Sequence, residues 1–153
     1  MAALGATQTT KQQVFTTVNP LYSAQYSVDR STSSPQLTVT LSLNNLDTSG
    51  WTTTAGAQGA WVAIGYGRLA MAAGDITICR YNYKNSATDA FVCFDGWIAA
   101  NYSVMTTETQ DITNVKTNVN SISSTTKLGN FSVSFTKPFK STDGTDQDQV
   151  LTN

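Results

Sequence analysis

Two cysteines, Cys79 and Cys93, and a few clustered carboxylates carry most of the reactive chemistry in this 153-residue chain. Asp143, Asp146 and Asp148 set three carboxylates beside a Gly-bearing turn, and hard oxygen ligands at that spacing suit Ca²⁺. The spacing falls short of an EF-hand, and the ordinary reading is a solvated acidic turn. Asp95, Asp111 and Glu108 supply carboxyl groups of the kind that hydrolyse glycosides, but nothing in their spacing fixes the separation which that reaction needs. Trp51 and Trp97, with Tyr66 and Tyr102, offer ring faces of the kind that stack on sugars. Trp51, in a Thr/Gly-rich loop, suits a surface role; Trp61 is expected in the core. Asn101-Tyr102-Ser103 and Asn130-Phe131-Ser132 match the N-glycosylation acceptor pattern.

There is no histidine. A Ser-His-Asp or Cys-His catalytic set is therefore impossible on this chain alone, as is any site that uses its histidines to bind zinc or haem. These exclusions leave the exact activity open. A net charge of −1 and a pI near 5.1 give no electrostatic footprint for nucleic acid or anionic lipid. No apolar run approaches the roughly 20 residues of a membrane-spanning helix.

The elements that must hold these residues read as strands. Charged residues are only 12% of the chain, about half the usual share, while Thr numbers 25 and Ser 15. Such a composition favours strands over helices. Leu37, Val39, Leu41 and Leu43 alternate with polar residues, as do Phe131, Val133 and Phe135, and Tyr22 to Val28 behaves likewise. Period two marks half-buried antiparallel strands. Trp61 to Tyr66 and Ala90 to Phe94 are apolar on both faces and read as central strands, with a further strand at Asp75 to Tyr81. The polar stretch Thr106 to Lys127 is read as one or two exposed strands, such as Asn114–Val119 and Ser121–Thr126. Turn clusters between the runs indicate an all-β sandwich or barrel. The strands bearing Cys79 and Cys93 form a hairpin on this reading. Both cysteines are equidistant from Ser86 and so face each other, close enough for a disulfide. Two buried free thiols are the alternative.

Several stretches now fall in a recognisable order: Trp61-Val62-Ala63-Ile64-Gly65-Tyr66-Gly67, then Met71, Asp75, Asp95, Gln110-Asp111, and Phe135-Thr136-Lys137-Pro138-Phe139 ahead of Asp143 and Asp146. This order resembles the DOMON domain family over roughly residues 22–151. Lys137 and Phe139 stand where that family usually has Arg and Leu. The resemblance implies an antiparallel immunoglobulin-like β-sandwich of about nine or more strands, secreted or on the cell surface. Residues 1–21 would be an N-terminal extension or extra strand. Residues 22–153 would be the DOMON-like domain, either complete or short of its last strand.

Three functions follow from the resemblance. The first is a non-catalytic interaction or structural module in a larger extracellular assembly, partnered by other chains or by copies of itself. The second is a haem b electron-transfer domain with Met71 as axial ligand. The second ligand is not visible, since the downstream His of the haem branch is missing; Lys137 and Lys140 are the nearest substitutes. The third is a carbohydrate-binding domain. The ordinary reading of Met71 is a gap-filling core residue.

Overall fold

In a computed structural model of the chain, residues 15–16, 21–31, 33–51, 59–66, 74–83, 89–98, 106–107, 110–120, 122–123 and 125–139 are described. They form strands and contain no helix. Seven strands have eight residues or more: β2 (Tyr22–Asp29), β3 (Gln36–Asp47), β4 (Gly59–Tyr66), β5 (Gly74–Asn82), β6 (Phe91–Ile98), β8 (Thr113–Asn120) and β9 (Leu128–Pro138). Two-residue pieces, β1 (Phe15–Thr16) and β7 (Thr106–Thr107), extend the two sheets. One sheet runs β1-β2-β3-β9-β8 and the other β4-β5-β6-β7, and every pairing is antiparallel.

Alternation decides what lies between the sheets. On the first sheet, cross-strand rows Tyr26–Val39–Phe135 and Ala24–Leu41–Val133 face inward. From the second sheet, Val62, Tyr66, Cys79, Tyr81 and Phe91 meet them in one buried cluster, so the two sheets share a core in a sandwich-like arrangement. Side-chain bonds stitch sheet to sheet: the Tyr22 hydroxyl donates to Ala63 O at 3.0 Å, Phe91 N donates to Thr117 Oγ1 at 2.9 Å, and Lys137 of β9 bonds Asp95 of β6. Burial pushes the Tyr22 hydroxyl pKa above its ordinary value. Gly59 is confined by its neighbour: a Cβ there would run into the Tyr81 carbonyl of β5, so only glycine lets β4 lie that close.

Two expectations need correction. Trp61 is not in the core but 68% exposed. In β4 the even-numbered residues Val62 and Tyr66 face inward, and strict alternation sends Trp61 to the other side. Nor is β4 central; among the described residues it closes one edge of its sheet. Its second apolar face, which had suggested burial on both sides, is instead displayed. The polar stretch Thr106 to Lys127 contains the short β7 and then β8, followed by a turn at Thr125–Thr126.

Candidate functional site

The core changes character along its length. At one end, Trp51, Tyr81, Tyr83, Phe91 and Phe131 pack ring against ring, with centroids 5.1–6.3 Å apart. Burial, and then the charges of Asp89 and Tyr83, raise the Tyr81 hydroxyl pKa. In the middle, Cys79 faces Cys93 across β5 and β6, and the two are joined in a disulfide. At the other end, alternation brings charge into the interior: Asp75 and Thr77 from β5, Asp95 from β6 and Lys137 from β9 are each 1% exposed or less.

Lys137 crosses from one sheet to the other. Its Nζ lies 2.5 Å from Asp95 Oδ2 and 3.6 Å from Asp75 Oδ2, and 5.6 Å from the centre of the Tyr66 ring. The other Asp95 oxygen, Oδ1, accepts a hydrogen bond from Thr77 Oγ1 at 3.1 Å, and that hydroxyl is 3.1 Å from the Tyr66 hydroxyl. Gln110 holds the Asp95 backbone at both ends. Asp95 N donates to Gln110 Oε1 at 2.7 Å, and Gln110 Nε2 donates to Asp95 O at 3.0 Å. A lone buried charge would be prohibitive, so each of these groups depends on the others. Tyr66, Asp75, Asp95, Gln110 and Lys137, scattered through the sequence motifs, thus meet at one place.

No family model, no curated protein and no solved structure matches this chain. The local geometry therefore carries the functional argument. Trp51, expected as a sugar platform, turns its ring into the aromatic end of the core and is half-buried. Trp97 is half-buried on the inward row of β6, opposite Asp75. Asn130 is exposed at the start of β9, with its Oδ1 accepting from Asn45 N at 2.8 Å; Asn45 sits at φ 55° where β3 bulges. Met71, Asn101, Tyr102, Glu108, Lys140, Asp143, Asp146 and Asp148 lie outside the described residues. Lys137, considered above as a haem ligand, commits its amine to carboxylates inside the core. Among the described residues, no group of three or more Cys, Asp or Glu side chains is arranged to hold a metal ion.

Sequence reasoning missed two features, and strand parity would have found both. Lys137 is in phase with the inward Phe131, Val133 and Phe135; Asp75 is in phase with Cys79, and Asp95 with Cys93. The second feature is the outer face of the four-stranded sheet. There Trp61, Arg80 and Val92 form one cross-strand row, and Ala63, Ile78 and Phe94 form the next. Trp61 and Val92 are 68% and 51% exposed. The only charge in these rows is Arg80, whose guanidinium lies 5.8 Å from the Phe94 ring centre.

Proposed function

We propose that this chain is a secreted or cell-surface β-sandwich of the DOMON type, immunoglobulin-like in fold, that works by binding other chains rather than by catalysis. The observation that carries this reading is the outer face of β4, β5 and β6. A sheet face with an exposed indole, an exposed valine and partly covered Ile78 and Phe94 is costly to leave in water, and such patches mark interaction sites. The β4 edge beside it points the same way. Gly59–Tyr66 contains no charge, no proline and no bulge, whereas the opposite sheet's edge strand, β8, has an exposed Lys116 and a bulge with Asn114 at φ 54°. Bulges and lysines are the usual means of keeping an edge from pairing. β8 has both and β4 has neither; one β4 carbonyl, that of Ala63, is capped by Tyr22.

The disulfide between adjacent strands and the low charge content support an extracellular location, where disulfides persist. The partner is a second copy or another extracellular chain that covers the Trp61 face. A second reading, glycan binding, is favoured by one specific observation: Trp61 presents its ring beside Arg80, an aromatic platform with a polar neighbour.

The test is sedimentation of the purified protein over a wide concentration range, with a glycan array in parallel. Association that is lost in Trp61→Ala/Val92→Ser, with the melting temperature unchanged, is the expected result. Glycan binding lost in the same variant would transfer the face to the sugar reading. A Soret band after haemin addition, absent in Met71→Ala, would overturn the binding-module reading in favour of a cytochrome.

A further inference from the structure

We propose that Lys137 and Asp95 condense to an intramolecular amide, a covalent cross-link between the two sheets that the protein makes without any other enzyme. The inference rests on the buried cluster and does not depend on the function proposed above.

Lys137 Nζ lies 2.5 Å from Asp95 Oδ2, in direct hydrogen-bonding contact. An amine held that near a carboxyl group, in an interior where both side chains are 1% exposed, is positioned to attack its carbon. The surrounding groups fit the parts this reaction requires. Thr77 Oγ1, adjacent to the Tyr66 hydroxyl, donates to Asp95 Oδ1, the oxygen on which negative charge develops when the amine adds. Asp75 Oδ2, 3.6 Å from the same amine, is placed to take a proton from nitrogen and pass it to the departing oxygen. Gln110 fixes the Asp95 backbone on both sides, so the electrophile does not drift from the nucleophile.

The balance is complete without an oxidant or a co-reactant. An ammonium and a carboxylate become a secondary amide and one water. The Nζ–Cγ bond forms and the Cγ–Oδ2 bond breaks. Two protons travel from nitrogen to Oδ2, which leaves as water, while Asp75 ends as it began. The reaction requires an amine at position 137, which Lys137 supplies. A guanidinium makes the same ion pair, but its delocalised nitrogen is a poor nucleophile and stays protonated.

Intact mass spectrometry of the folded, full-length protein tests this. The expected mass is below the sequence mass by one water, beyond the two hydrogens of the disulfide. Proteolysis should release a branched peptide that joins the segment holding Asp95 to the segment holding Lys137. Lys137→Arg, which keeps the charge and lacks the amine, should show the full mass. Asp95→Asn should lose one ammonia instead, and Asp75→Asn should leave most of the protein unlinked. A folded wild-type protein at full mass overturns the proposal. So does a water loss that persists in Lys137→Arg, because Asp95-Gly96 and Asp143-Gly144 can each lose water as a succinimide.

Discussion

Where Tyr81, Phe91 and Phe131 meet, the interior is closed by rings that can tilt and slide; where Asp75, Asp95 and Lys137 meet, it is closed by groups that tolerate no missing partner. Both sets of residues are buried and are built on the same strands, four to six residues apart. Dispersion and area burial at the aromatic end are spread over many weak contacts, so a substitution removes a fraction. The charged end depends on a few strong contacts, and removing one leaves the others buried without compensation. One fold thus holds a graded region and an all-or-none region. Removing a single group at each end is the most direct way to break that contrast.

Lys137→Ala should have the largest effect, because it strands two buried carboxylates. Breaking a buried pair costs about 3–5 kcal/mol, and the cost rises if the cross-link is lost with it. At the aromatic end, Phe131→Leu keeps an apolar side chain of similar size and should cost under about 1.5 kcal/mol. Urea midpoints of the two variants measure the difference. Equal losses would mean that the two ends are not distinct in kind.

The disulfide lies between the two ends and should come next. Cys79 and Cys93 are 14 residues apart, and a loop of that size is worth about 3 kcal/mol in the chain-entropy model. Cys79→Ala/Cys93→Ala should lower the denaturant midpoint by that amount while both ends stay packed, which near-ultraviolet circular dichroism of the Trp51–Tyr81–Phe131 cluster would report. Loss of that signal would show that the aromatic end depends on the disulfide and is not an independent region.

Much of the fold was legible in the sequence because alternation is a strong signal wherever one face is buried. Leu37 to Leu43 and Phe131 to Phe135 predict β3 and β9, and the equal distance of the cysteines from Ser86 predicts their pairing across β5 and β6. The sheet partners were less legible, since nothing local says that β9 inserts between β3 and β8. β4 was misplaced because an apolar outer face gives the same pattern whether it is covered by another layer or left at the surface. The buried cluster was within reach of parity, but Lys and Asp are so rarely interior that their phase with Phe135, Cys79 and Cys93 did not register as burial. Residues joined only through the tertiary fold, such as Gln110 with the Asp95 backbone, have no local signature at all.

The smallest expected effect is the response to pH, and it separates the interior from the surface. Tyr22 and Tyr81 have pKa values raised above 10.0, chiefly by burial. For a group raised in the folded state, the stabilisation is fully present below the unfolded value and is lost as pH rises through the folded value. The urea midpoint should therefore hold to about pH 10 and fall above it, and Tyr81→Phe should soften that fall. On the acid side, the Ser31 hydroxyl and then the Ser31 amide hold Asp29 below 3.8, and the Ser49 amide and then the Ser49 hydroxyl do the same for Asp47. Their contribution is present above the unfolded value and is lost as pH falls through the folded one. Both carboxylates are exposed to solvent, so Asp29→Asn should leave the acid limb almost where it was. An alkaline limb unmoved by Tyr81→Phe would mean that the aromatic end admits water as the hydroxyl ionises. Its rings would then be the looser of the two ends in solution as well as in response to mutation.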